Sequence, residues 1–338
     1  MQQRHHYRRP YGTNIIRGVK QMEDSVRVIP IECKFGPTSA YAYYIDSPEP
    51  ALIDTGIASS ASQEIETVLA ENGLRIEDIR WILLTHGHVD HLGGARAVWE
   101  KTGQRAKVVI PKKEARLLRD RSAHIVDYKK LQGKHVDVET QEKHIAILTN
   151  DIGEGMEPTV EVVDGDNLSL GGDVSITVVE TPGHSIGSVT FVLEGLEWAF
   201  AADAVQMYGG AKSGIPAIEQ PALYRKSLQR LLEEVRPKRL YLGHHFRDVN
   251  GVIISSQVDG DEVFAVLRSS LEMDARLTDL VERHLSGDAQ PIESNGLYGS
   301  FESIATEIGY TGDPRNLPCA FFVTMHAYQK ELNGSYIK

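Results

Sequence analysis

The sequence predicts an α/β protein in which layered strands and outer helices carry their chemistry on strand-end loops. Three observations predict it. Short strands alternate with amphipathic helices in two successive blocks. A polar loop follows each key strand. Beyond about Val258 the apolar spacing turns wholly helical.

The elements follow in order. Between Ser25 and Ile53 we expect short strands: Val26 and Val28 flank Arg27, and after Pro30 the residues Ile31, Cys33 and Phe35 alternate with Glu32 and Lys34. Residues 40–45 and 51–53 continue the pattern, set apart by Gly36-Pro37 and Pro48, and Asp54-Thr55-Gly56 is a turn. Ser60 to Asn72 reads as a helix with Ile65, Val68 and Leu69 on its apolar stripe, stopped at Gly73. Residues 80–84 form a buried strand that runs into Thr85-His86-Gly87-His88-Val89-Asp90-His91, and Gly93-Gly94 opens a helix through Trp99. After the strand at 108–110, a charged helix-like stretch reaches about Lys134 and gives way to a mixed polar segment ending near Pro158. An insertion of that length often covers a site. His124, His135 and His144 within it are expected at exposed positions. Strands are expected at 160–163, around Leu168, and at 174–179, 188–193 and 198–202, then a helix at 221–235 and a strand at 239–242. Val263, Val266, Leu267, Leu271, Leu277, Leu280, Val281 and Leu285 then recur at helical spacing.

With 338 residues the chain is too long for one typical core, so a large domain plus a smaller part is expected. We place an N-terminal extension at 1–22, the main domain at 23–257 with its helical insertion at about 112–158, and a helical C-terminal segment at 258–338. That last segment could cap a pocket, form a homodimer interface, or both. Hydrophobic residues at 41% and charged residues at 25% are ordinary for a soluble protein. A net charge of -11 repels phosphate backbones, which argues against nucleic acid as a partner and for a small-molecule substrate. The chain shows neither an apolar run long enough to span a membrane nor a signal-peptide core, so no membrane partner is expected. Two distant cysteines, Cys33 and Cys319, are no disulfide framework and fit a cytoplasmic location.

His86, His88, Asp90 and His91 place four ligand-type side chains within six residues, directly after an apolar strand. In an extended turn His86 and His88 can grip one cation while Asp90 and His91 reach a second. Imidazole with carboxylate suits zinc, and also manganese, iron or cobalt. Burying three imidazoles and a carboxylate without a cation would be costly.

This His-x-His-x-Asp-His run resembles the signature of the metallo-β-lactamase superfamily. Asp54 in Leu-Ile-Asp-Thr-Gly, His184 in Thr-Pro-Gly-His, Asp203 in Phe-Ala-Ala-Asp and His244 in Leu-Gly-His resemble further parts of its pattern, in the same order, from about Val26 to His244. The resemblance implies an αββα sandwich of two mixed sheets with helices outside. It implies two divalent metal ions, zinc first, with iron or manganese as alternatives. His86, His88 and His184 would hold one ion, Asp90, His91 and His244 the other, and Asp203 would bridge them. A hydroxide between two cations has a lowered pKa and attacks a carbonyl or phosphoryl centre. Asp90 would orient it or move a proton, and Asp54 would brace the ligand loop. Many relatives carry Gly-Asp where this chain has Ala202-Asp203, which affects only local loop geometry.

The other candidates stay open. His245 could bond near the site or face solvent. Tyr208 is either a substrate-facing phenol or a packed loop residue. The resemblance leaves thioester hydrolysis of an acyl-CoA or acyl-glutathione, as in the glyoxalase II and acyl-CoA thioesterase branch, as the first reading. Lactonase or arylester and organophosphate hydrolysis is the alternative. Phosphodiester cleavage and one-iron persulfide oxidation come after these, and a scaffold without ligands is the non-enzymatic reading. Basic groups for an anionic leaving group would come from Arg116, Arg119, Arg121, Lys129 and Lys130, or from Arg268, Arg276, Arg283 and Arg315.

Overall fold

The computed structural model describes residues 26–210, 214–285 and 296–334, and in it the strands form two six-stranded sheets. The N-terminal extension expected at 1–22 lies outside the described residues. The first sheet runs in the order β1 (Arg27–Phe35), β2 (Thr38–Asp46), β3 (Ala51–Ile53), β4 (Trp81–Leu83), β5 (Lys107–Pro111), β6 (Val160–Val162). Its first two pairings are antiparallel and its last three parallel. The second sheet runs from its edge β12 (Gln257–Asp259) through β11 (Arg239–Leu242), β10 (Trp198–Ala202), β9 (Val189–Leu193) and β8 (Ser175–Glu180) to β7 (Asn167–Ser169). Only its β10–β11 pairing is parallel. Both sheets are therefore mixed, as expected.

The sheets meet through an apolar layer that includes Tyr43, Leu83, Phe191, Phe200 and Tyr241. Tyr43 is satisfied within this layer: its phenol donates to the carbonyls of Leu242 at 2.5 Å and Ser256 at 3.0 Å. The outer face of the first sheet is covered by α1 (Glu66–Glu71), α2 (Val89–Leu92), α3 (Ala95–Lys101) and the insertion, whose helices are α4 (Ala115–Arg119), α5 (Arg121–Leu131) and α6 (Val138–Asp151). The outer face of the second is covered by α7 (Pro221–Arg230), α8 (Asp261–Leu285), α9 (Glu302–Ile308) and α10 (Ala320–Leu332). The architecture is an αββα sandwich with a helical C-terminal segment.

Four local expectations are corrected. The two short strands expected either side of Pro30 are one strand, β1; it lies at the sheet edge, where a proline's missing N–H is tolerated. The mixed polar segment after Lys134 contains the 14-residue helix α6, begun by Asp137, whose carboxylate accepts from Thr140 N at 2.8 Å. Its polar residues face water and it buries only His144 and Leu148, which hides the helical period from a hydrophobicity reading. His124 and His144 are buried, not exposed: His124 Nε2 lies 2.8 Å from the Leu117 carbonyl, and His144 Nδ1 lies 2.8 Å from the Tyr128 hydroxyl. Finally, the helix after β4 begins inside the histidine motif itself, at Val89, and not only after Gly93-Gly94.

Candidate metal centre

Strands β3 and β4 run parallel in one sheet and β10 and β11 run parallel in the other. The loops leaving their C-terminal ends carry Asp54, His86, Asp203 and His244. The loop after β8 adds His184, and α2 adds Asp90 and His91. Three groups of donor atoms result, each within 4.8 Å: His86, His88 and His184; Asp90, His91 and His244; and His86, His91 and Asp203.

Each imidazole has one nitrogen turned outward to an oxygen. His91 Nδ1 lies 2.9 Å from Asp54 Oδ2. His184 Nδ1 lies 2.7 Å from the Ala217 carbonyl, and His244 Nδ1 lies 2.7 Å from the Ser39 carbonyl. His86 Nδ1 lies 3.0 Å from the Thr85 hydroxyl, which itself donates to Asp54. His88 Nε2 faces Glu219 Oε1 at 3.6 Å. In a neutral imidazole an acceptor on the outer nitrogen fixes the proton there and leaves the inner nitrogen as the ligand atom.

The inner nitrogens converge. His184 Nε2 is 2.7 Å from His88 Nδ1, and His91 Nε2 is 3.3 Å from His244 Nε2. Asp203 sits between the halves. Its Oδ2 is 3.3 Å from both His184 Nε2 and His244 Nε2, and its Oδ1 is 3.6 Å from His91 Nε2. Asp90 Oδ2 is 3.4 Å from His244 Nε2 and 3.8 Å from His91 Nε2.

Two buried atoms, His86 Nε2 and Asp203 Oδ1, have no hydrogen-bond partner. A buried acceptor left without a donor costs about 1–3 kcal/mol, and a divalent cation removes that cost for both. The residues therefore fit a metal centre. The electrostatics agree. Burial and the neighbouring imidazoles hold His86 well below the ordinary histidine range, and burial with His88 brings His184 to about 4. Around His91 burial is opposed and outweighed by Asp203, Asp90 and Asp54, which hold it up at about 10. The carboxylate side thus attracts positive charge.

The backbone here is strained. Asp54 has φ 55° and Ala202, directly before Asp203, has φ 43°. Left-handed conformations favour glycine, so the cost of the alanine falls on the local loop geometry. Gly243 shows the opposite constraint: a Cβ there would lie 2.1 Å from Asp203 Oδ1.

The contacts of two further candidates are visible. His245 turns to Tyr41, whose hydroxyl is 2.9 Å from its Nε2, and to Glu32 Oε1 at 3.3 Å. Tyr208 packs half-buried against the core beneath the second sheet. Three supporting residues had no signal in the sequence. Thr85 links Asp54 to His86. Glu219 faces His88. Buried Glu114 accepts from the Ser185 hydroxyl and from Gly187 N, both at 2.8 Å, and its Oε2 lies 2.6 Å from where a Gly87 Cβ would be. It bonds to the His184 loop while lying close against Gly87 of the His86–His88 loop. Apart from the Thr85–His86 contact, their partners lie dozens of positions or more away in sequence, so only the fold reveals them. Of the basic residues considered for substrate, Arg116, Arg119, Arg283 and Arg315 are each committed to a surface carboxylate.

The family model described as the metallo-beta-lactamase superfamily matches residues 35–244. The chain belongs to that superfamily. A relative in Burkholderia pseudomallei named "Probable metallo-hydrolase" is 27% identical over 69% of this chain and 78% of its own length. A hydroxyacylglutathione hydrolase of Rhodopseudomonas palustris is 26% identical over 68% of this chain and 69% of its own. A metallo-beta-lactamase family protein of Thermus thermophilus has a similar crystal structure, with a TM-score of 0.64 at 21% identity, covering 92% of this chain and 94% of that one. That likeness shows the fold. Among the described residues no helix of this superfamily member is long and apolar enough to cross a membrane.

Proposed function

We propose that the protein is a hydrolase using two divalent metal ions, zinc foremost, to cleave a thioester or carboxylic ester of the acyl-CoA or acyl-glutathione type. The observation that carries it is the convergence of five imidazole nitrogens on two carboxylates, with His86 Nε2 and Asp203 Oδ1 buried and unpartnered. Nitrogen and carboxylate donors without a thiolate suit zinc; Cys33 and Cys319 lie outside the donor groups.

His86, His88 and His184 would hold one ion and Asp90, His91 and His244 the other, with Asp203 reaching both. When bound, the pair supplies an activated water and polarises the scissile carbonyl. The chain's own residues do the rest. Asp54, Thr85 and Glu219 keep the inner lone pairs aimed at the centre. Asp90 Oδ2 is placed to take a proton and return it to the leaving group, since the Asp90 side chain, at 15% exposed, still reaches the open side. His88, at 33%, marks that same side as the approach for substrate. The similarity to a hydroxyacylglutathione hydrolase supports a thioester over a lactone as the first substrate to try.

The test is bound metal per chain by elemental analysis, on protein purified without a metal-binding tag. It is joined to turnover of an acyl-CoA, an acyl-glutathione, a homoserine lactone and an aryl phosphodiester. Two ions per chain are expected, with thioester turnover, and His86→Ala or Asp203→Ala should lose metal and at least about 10²-fold in rate. One iron without hydrolysis, or no metal at all, would overturn the reading.

A further inference from the structure

A cleft of about 470 Å³ opens between the insertion and the C-terminal helix. One wall carries Lys130 at the end of α5 and Lys134 in the turn Gly133–His135. The other carries His326 and Lys330 of α10. The inner end is Glu219 and Gln220.

The walls are held at a fixed spacing. The His135 ring stacks on His326 at 4.6 Å and on Phe322 at 4.9 Å, so insertion and C-terminal helix meet through flat ring contacts directly beside the cleft. The inner end adjoins the metal centre, because Glu219 Oε1 is 3.6 Å from His88 Nε2.

The charges are arranged unevenly. In the insertion Lys113, Arg116, Arg119 and Lys143 each have a carboxylate partner, whereas Lys112, Arg121 and Lys129 have no salt-bridge partner among the described residues. Lys130 and Lys134 have none among the described residues, although the chain as a whole carries a net charge of -11. Clustered ammonium groups repel one another, and a concave surface focuses their field. Lysine binds phosphate as a point charge, and several lysines match a polyanion better than a single carboxylate.

We propose that this cleft binds a phosphorylated leaving group of the substrate, with its phosphates between Lys130, Lys134 and Lys330 and its reacting end led past Glu219 to His88. The Glu219 carboxylate repels phosphate and so keeps the anion at the outer, lysine end. The proposal rests on the hydrolase reading given above and assigns the substrate class within it.

The test uses the full, metal-loaded chain and two thioesters with one acyl group, one leaving as coenzyme A and the other as unphosphorylated pantetheine. The phosphorylated thioester should have a kcat/KM about tenfold or more higher. That ratio should collapse toward one in Lys130→Ala/Lys134→Ala and in high salt. Calorimetry with adenosine 3′,5′-bisphosphate reads the cleft without turnover: the wild type should bind it and the double variant should bind it at least several-fold more weakly. Equal preference for both thioesters, or bisphosphate binding unchanged in the double variant, would overturn the proposal. If neither thioester is cleaved while the lysine-dependent binding persists, it is the hydrolase reading that fails and not the cleft.

Discussion

Asp54 shows how much one side chain can decide. It is 1% exposed and accepts from Thr85 N, Thr85 Oγ1 and His91 Nδ1, all within 2.9 Å. Asp54→Asn keeps the shape but presents an amide where two donors already point. The proton on His91 would then shift to Nε2, where a metal should bind. We expect metal affinity to fall about 10–100-fold with the fold unchanged by circular dichroism; unaltered metal binding would show that Asp54 does not set the tautomer. Ala202 makes the opposite case. At φ 43° its Cβ is strained by about 1–2 kcal/mol, part of which glycine would lose again through its freer unfolded chain. Ala202→Gly should leave stability the same or raise it by up to about 1 kcal/mol in urea unfolding, and a clear destabilisation would refute the strain.

At the scale of the element, the insertion is a packed layer with its own titratable core. His124 lies on α5 and burial is the main reason its pKa falls from 6.5 to about 4, with the Leu117 hydrogen bond working the other way. The unfolded chain therefore takes up a proton between pH 6.5 and 4 that the folded chain does not. By linkage, His124's contribution is fully present above pH 6.5 and is lost as the pH falls toward 4. His124→Gln keeps a donor for Leu117 and removes the titration. Unfolding midpoints against pH should slope less steeply in the variant, by up to about one proton; identical slopes would mean that His124 titrates normally. The same element explains why α6 was not legible. Its buried positions are His144 and Leu148, with Ile145 partly so, while Val138 and Ile147 are exposed, so its apolar residues do not mark the buried face. Helix α8 was legible because most of its buried residues, Val263, Val266, Leu267, Leu277, Leu280 and Val281 among them, are apolar and recur at helical spacing.

At the scale of the molecule, the C-terminal segment is joined to the second sheet by one continuous apolar layer. Phe321 on α10 is fully buried and meets the rings of Tyr310 at 4.6 Å and Tyr298 at 5.3 Å within the cluster that also holds Leu240 and Leu242 of β11. Phe321→Ala should cost about 3–5 kcal/mol in a single cooperative urea transition. A loss below about 1 kcal/mol, or a separate early transition, would show that the segment is not part of the main core.

The sequence by itself determined the layered α/β class, the strand order along the chain and the donor residues. Those features are local: two-residue and helical periods mark the elements, and four ligand-type residues in six positions after an apolar strand leave few other uses. What only the tertiary structure decided is how donors from both sheets share one centre, with Asp203 between the halves. It also decided that Thr85, Glu114 and Glu219 support them, that His245 bonds to Tyr41 and Glu32, and that Tyr208 packs against the core. It placed the lysines of the insertion opposite the C-terminal helix as well. Each of these depends on contacts between residues dozens to hundreds of positions apart, such as Glu114 with Gly187 or His244 with Ser39. Sequence spacing carries no information about such pairs; the packing of the two sheets and their helical layers supplies it.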